Sequence, residues 1–255
     1  MVIRQLTDQA DIRARLERNR AWAAFSLADL DPGPAAHATW FGPAKGNSVV
    51  LVYGAYDVPI VIGHGDIDGC ERSLGDPAVV SRTASAHLNV LPEWLSMVDR
   101  QFSRFEHREM VRMLLDVEAL AASAPSQAER LGPSDLAHVQ QLYAEDPPAF
   151  FLPAQLGAGV YFGVREGCDL VAIAGTHVVS AAARVGALGN VHTRSNRRRE
   201  GLAADVVGAV TGELVRRGIS TIVLNIVATN EAARRVYERI GFREYCVYCE
   251  GLATR

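Results

Sequence analysis

Two stretches in the C-terminal half of this chain pair side chains and spacings suited to holding an anion and moving a proton. The first runs Asn196-Arg197-Arg198-Arg199-Glu200-Gly201-Leu202-Ala203 and opens an apolar-periodic segment. A helix start has backbone N–H groups with no intrahelical partner and carries the positive end of the helix dipole. Gly201 would let a ligand approach those donors without a Cβ in the way. The arginines add charge with a geometry matched to phosphate oxygens, so a diphosphate suits the loop. The second stretch places Asn230, Arg234 and Tyr237 at i, i+4 and i+7, on one helix face, with Ala233 beside it. A phenol there could give a proton to a leaving anion. Alone, each stretch has a plainer reading: a solvated basic loop, and a half-buried tyrosine with its hydroxyl at the rim. His177, His192 and Glu145 are candidate bases, but the histidines also read as ordinary strand residues, so no base is assigned.

These residues need a scaffold. The segments 159–166, 169–180 and 184–193 read as strands, the first two joined at Glu166-Gly167. Leu202, Val206, Val210 and Leu214 recur every fourth residue, which predicts an amphipathic helix over 201–218 closed by Gly218. Residues 221–228 are nearly all apolar, as in a strand covered on both faces. A helix over 230–241, with Asn230 as N-cap and Gly241 as stop, leads to a last strand over 243–251. Strand, helix and strand in the order 184–193, 201–217, 220–227 predict a right-handed parallel crossover. A helix over 134–146 precedes them, with Ser134 as N-cap and Pro147-Pro148 as stop.

The N-terminal half predicts a helix over 8–30 ended by the Pro- and Gly-bearing stretch that follows, then a hairpin from 48–56 and 58–65. A helix over 84–102 broken at Pro92 and a strand over 107–120 follow, with helix as the competing reading of the latter. The small, polar stretch 121–135 marks a boundary, giving domains 1–125 and 126–255. The Gly-rich stretch 63–69 has neither the ligand order of a calcium loop nor the Lys-Ser/Thr of a phosphate loop, and reads as a turn after a strand. Cys246 and Cys249, three apart in a strand, should point to opposite faces. Cys70 and Cys168 are isolated, so no metal site is expected.

The 255 residues are 49% hydrophobic and 22% charged with a formal net charge of -3, a globular composition with no global electrostatic case for nucleic acid or an anionic membrane surface. No apolar run is long enough to span a bilayer, and the first twenty residues lack the apolar core of a signal peptide. A cytoplasmic setting is the expectation.

The stretch 191–203, Val-His-Thr-Arg-Ser-Asn-Arg-Arg-Arg-Glu-Gly-Leu-Ala, resembles the coenzyme-A-binding motif of the GCN5-related N-acetyltransferases (GNAT), Gln/Arg-x-x-Gly-x-Gly/Ala, at Arg198, Gly201 and Ala203. The stretch 230–242 is similar to that family's Asn-x-x-Ala-x-x-x-Tyr-x-x-x-Gly-Phe at Asn230, Ala233, Tyr237, Gly241 and Phe242. Ser195 departs from the pattern, where many members carry Pro. The resemblance is clear over 184–245 and extends to about 126; the strand 162–166 and the lead-in 186–193 look like the glycine-acyltransferase-like branch. It implies an α/β fold with a mixed, mostly antiparallel twisted sheet flanked by helices, beside a second, degenerate GNAT-like N-terminal α/β domain. It implies acetyl-CoA as co-substrate and a primary amine as acceptor, with a homodimer compatible and no metal. A non-catalytic acyl-CoA-binding or sensor protein is the competing reading. In the first reading Val191, His192 and Thr193 line the pantetheine arm, Val191 and Thr193 through their backbone. Backbone N–H groups from Arg199 through Gly201, Leu202, Ala203 and Ala204 hold the pyrophosphate, assisted by Arg198 and Arg197. Asn230 and Ala233 line the pantetheine slot, and Tyr237 protonates the departing thiolate.

Overall fold

The computed structural model describes residues 2–118, 126–148 and 151–255. Among these the strands are β1 (Ile3–Leu6), β2 (Ala38–Pro43), β3 (Val49–Tyr53), β4 (Ile60–His64), β5 (Ser85–Val90), β6 (Arg104–Leu115), β7 (Glu129–Leu131), β8 (Tyr161–Glu166), β9 (Asp169–Ser180), β10 (Val185–Thr193), β11 (Thr221–Val227) and β12 (Phe242–Thr254). By its contacts the chain forms two units: Met1–Arg112 with Val227–Thr229 and Tyr245–Arg255, and Met113–Ile226 with Asn230–Glu244.

In the first unit β1, β2, β3 and β4 pair antiparallel in turn, and β4 runs parallel to β5. β5 pairs antiparallel with the far part of β12, with Ser85 opposite Thr254 and Val90 opposite Cys249. Its core gathers Phe41, Val52, Val61, Leu88, Trp94 and Met97. The hairpin expected from 48–65 forms as β3 and β4. The expected helix over 84–102 does not: Ala86, Leu88 and Val90 are buried while Ser85, His87 and Asn89 are half-buried, a period of two that makes this segment β5. Helix resumes only at Leu95–Gln101, after the turn Pro92–Trp94. The helix expected over 8–30 is broken into Gln9–Leu16, a tight turn Glu17–Asn19 and Ala24–Ala28, although Ile12, Leu16, Trp22 and Leu27 are buried as the pattern required. The stretch 63–69 does turn after β4, and Asp66 then caps a helix, Ile67–Leu74, by accepting from Gly69 N at 2.7 Å. Asp29 is only 9% exposed, and burial, reinforced by the charge of Asp31, pushes its carboxyl up to about 7.

In the second unit β7, β8, β9 and β10 pair antiparallel and β10 runs parallel to β11. The helix between β10 and β11 runs Leu202–Arg216 and packs on β8, β9 and β10. Val206, Val210 and Leu214 are fully buried on its inner face, each contributing about 2 kcal/mol of hydrophobic stabilisation. A second cluster joins Leu142 and Tyr143 of the helix Leu136–Tyr143 to Leu131, Leu156, Tyr161 and Ile173. The helix Glu231–Ile240 has the expected caps: Asn230 accepts from Ala233 N at 3.1 Å, and Gly241 ends it at φ +119°. The mostly antiparallel, helix-flanked sheet is the architecture the two motifs imply.

The boundary expected between 125 and 126 abuts residues 119–125, outside the described set. The division by contacts passes through β6, β11 and β12, and residues 249–254 are held to the first unit by their ladder to β5. Cys246 and Cys249 are free thiols, half-buried and buried respectively.

Candidate active site

The loop that leads from β10 into the long helix bends through two left-handed residues, Arg199 at φ +71° and Gly201 at φ +84°. At Gly201 an L side chain would be strained, and glycine adopts the angle freely. Among the described residues four other helices, those beginning at Gln9, Ile67, Pro77 and Glu231, are capped by an Asp or Asn side chain. The helix at Leu202 has no side-chain cap. Its first intrahelical bond is Asp205 N to Gly201 O at 3.1 Å, so the amides of Leu202, Ala203 and Ala204 face outward from a partly exposed helix start. Arg198 donates from Nε to Thr193 O at 3.3 Å, joining the loop to the end of β10. Arg197 is held by Glu200 at 2.8 Å and by Glu166, so its charge is already compensated within the loop. Arg199 is exposed and has no ion-pair partner among the described residues.

The strand leading into this loop is irregular where acyl chemistry would need it to be. β10 pairs with β11 from Val185 opposite Thr221 to Leu188 opposite Leu224, and the pairing stops there although both strands continue. Over Gly189–Thr193 the β11-facing edge of β10 has no ladder among the described residues, while the β9 edge is interrupted by a register shift between Gly189 and His192. At that shift Asn190 sits at φ +54°. Such an angle is uncommon for a residue with a Cβ, and Asn tolerates it best among them. Three contacts hold it: Tyr143 Oη donates to Asn190 O at 2.6 Å, and Asn190 Nδ2 donates to Tyr161 Oη at 2.7 Å and to Gln155 Oε1 at 3.2 Å. The Tyr161 ring lies so close over Gly175 that a Cβ there would come within 2.0 Å of it. The bulge re-aims the backbone N–H groups of Val191 and its neighbours. Tyr143, Gln155, Tyr161 and Asn190 escape the sequence reading; the only local signal is the Gly189-Asn190 pair inside an otherwise apolar strand.

Tyr237 is 8% exposed, with its ring edge-on to Phe242 at 6.1 Å between centroids. Its hydroxyl has no hydrogen-bond partner among the described residues. Burial pushes the phenol up to about 12, which keeps it protonated through the physiological range. Its helix packs against the helix Leu202–Arg216, so both motif segments share one face of the second unit. Asn230 uses its side-chain oxygen as the N-cap, and Arg234 is tied to Glu244 at 2.5 Å. Ala233 is half-buried on the first turn.

Of the three candidate bases, the fold brings two together. His192 Nε2 stands 3.8 Å from Glu145 Oε2, an ion-pair separation too long for a hydrogen bond, and the same oxygen accepts from Ser195 N at 3.1 Å. Burial lowers the His192 pKa against the opposing pull of Glu145 and Asp146, so the imidazole is neutral at pH 7. The His177 ring lies over Gly189.

Residues 161–250 match the family model described as FR47-like protein. No curated protein matches the chain. Among solved structures, a Drosophila protein superposes at TM-score 0.69 with 20% identity, covering 100% of this chain and 98% of that one. A GCN5-related N-acetyltransferase from Sphaerobacter thermophilus gives 0.62 at 15% identity, covering 98% and 94%. A tandem GNAT protein from the clavulanic acid biosynthesis pathway gives 0.59 at 11% identity, covering 99% and 97%. At these identities the likeness is one of fold, and it extends along both units.

Proposed function

We propose that this chain, a two-domain protein of the GNAT fold superfamily, is an acyl-CoA-dependent N-acyltransferase that moves acetyl from acetyl-CoA to a primary amine. Residues 126–255 are assigned as the catalytic domain. The observation that carries this reading is the uncapped helix start at Gly201-Leu202 beside the unladdered edge of β10. Three outward amides and a left-handed glycine fit a pyrophosphate. The free strand edge from Gly189 to Thr193, roughly 16 Å at about 3.3 Å per residue, fits an extended amide-bearing arm.

On this reading Leu202, Ala203 and Ala204 hold the pyrophosphate through their amides, with Gly201 giving access and Arg198 and Arg199 adding charge. Arg197 contributes only by exchanging Glu200 and Glu166 for phosphate. Val191 and Thr193 offer backbone groups to the pantetheine arm, flanked by His192 and by Ala233 across the slot. Asn230 supports the slot by fixing the helix start. A bound thioester supplies an activated carbonyl that an amine nitrogen can attack directly, with the C–S bond breaking as the amide forms. The amide N–H groups at the Asn190 bulge are the candidate donors to the charge that develops on the carbonyl oxygen. Tyr237 supplies a hydrogen bond to the departing sulfur. A phenol near 12 lies roughly three units above an ordinary thiol, so hydrogen bonding is favoured over complete proton transfer.

The test is calorimetric titration with coenzyme A, followed by thiol release from acetyl-CoA across a panel of amines. Saturable binding and amine-dependent thiol are expected. Binding with no thiol from any amine would leave a non-catalytic acyl-CoA-binding protein, and no binding would remove the assignment.

A further inference from the structure

We propose that the acyl acceptor is an arylalkylamine: a single primary ammonium on an apolar, ring-bearing body. This rests on the acyltransferase reading above and goes beyond it by naming the acceptor class.

The second unit has an open cavity of about 330 Å³ directly after the helix Leu136–Tyr143. Among the described residues its wall is Tyr143, Ala144, Pro147, Pro148, Phe151 and Pro153, with Gln140 as the polar side chain long enough to reach a ligand. The Tyr143 and Phe151 rings stand 5.0 Å apart at 58°, and the prolines are rigid apolar faces. The Tyr143 hydroxyl already donates to Asn190 O, so this residue turns its ring, not its polar end, to the cavity. Such a wall suits a flat apolar group.

The rim has the opposite character. Glu145 and Asp146 fall between the lining residues Ala144 and Pro147, and both are exposed. Arg194 faces Glu145 at 3.7 Å but is shared with Asp169 at 3.4 Å, so the rim keeps an excess of negative charge. An ammonium is attracted there, and it is close to the chemistry. Tyr143 lines the cavity, bonds the Asn190 carbonyl and meets the His192 ring edge-on at 6.2 Å. Among the described residues the wall itself has no charged side chain. A carboxylate or a second ammonium carried on the part of the acceptor seated against this wall would therefore be left without a counter-charge there. The balanced reaction takes the ammonium and the thioester to the amide, the free thiol and one proton: the C–N bond forms, the C–S bond breaks, one amine proton replaces the acyl group on sulfur and one reaches solvent.

Thiol release should be measured with phenethylamine, phenylalanine, spermidine, butylamine and a lysine-containing peptide, using the full chain and acetyl-CoA. The expected result is a kcat/KM for phenethylamine at least tenfold above each of the others. Phe151→Ala should raise KM for phenethylamine at least fivefold while leaving kcat within twofold and KM for acetyl-CoA unchanged. Ala144→Trp, on an exposed position, should fill the cavity and produce the same selective loss. A preference for spermidine, phenylalanine or the peptide would overturn the acceptor class while leaving the acyltransferase reading intact. Equal effects of Ala144→Trp on all amines would overturn the cavity assignment. Coenzyme A binding without thiol from any amine would overturn both.

Discussion

The hydroxyl of Tyr143 donates a 2.6 Å hydrogen bond to the carbonyl oxygen of Asn190. It ties the helix that borders the cavity to the bulge in β10, 47 residues away in sequence, and it satisfies a carbonyl turned out of the ladder. Tyr143→Phe keeps the ring and removes the bond. A buried acceptor left unpaired costs about 1–2 kcal/mol, so thermal unfolding should shift down by a few degrees. On the proposed function, turnover should fall at least fivefold with coenzyme A affinity unchanged. An unaltered melting curve with unaltered turnover would show that the bulge holds itself.

Gly201 is left-handed at φ +84°, at a helix start with no side-chain cap. Gly201→Ala should cost roughly 1–2 kcal/mol through backbone strain alone. Gly201→Glu adds an anion where the pyrophosphate is assigned, and calorimetry should show coenzyme A affinity falling at least tenfold further than in the alanine variant. Equal affinities for the two variants would place the diphosphate elsewhere.

Among the described residues none hydrogen-bonds the Tyr237 hydroxyl, so Tyr237→Phe should leave the melting temperature unchanged. A hydroxyl that aids the departing sulfur makes itself felt in kcat: a loss of about tenfold to a hundredfold is expected at constant acetyl-CoA affinity. Retained turnover would take the residue out of the chemistry.

Asp29 offers a test independent of any ligand. Burial raises its carboxyl from 3.8 to about 7. The folded protein thus holds the proton more tightly than the unfolded chain. The stability this represents is fully present below pH 3.8 and is lost as pH rises through about 7. Asp29→Asn should match the parent protein near pH 4 and become progressively more stable up to pH 7. The gain should be constant above that, approaching roughly 4 kcal/mol. Parallel denaturation curves at pH 4 and pH 8 would contradict the burial of this group.

What could be read from the sequence was local. Val206, Val210 and Leu214 repeat every turn, Asn230 and Gly241 bracket ten helical residues, and such signals survive folding because they act over one or two turns. β5 was misread because Leu88 and Val90 run into Pro92–Trp94 and a true helix, so the period of two lasts only six residues. The loop 197–204 was legible because its glycine, its charges and its helix lie together. The lock on Asn190 was not: it depends on Tyr143, Gln155 and Tyr161, which approach only when the second unit folds. The same holds for the meeting of Glu145 with His192.

The ladder between β5 and β12 has a consequence for biosynthesis. Val90 is synthesised roughly 160 residues before its partner Cys249, so one edge of β5 waits through translation of nearly all of the second unit. Closing so long a loop is slow, and an unpaired strand edge is open to pairing with another nascent chain. On the ribosome, β5 is made before the second unit, and its own unit is completed only when β12 follows.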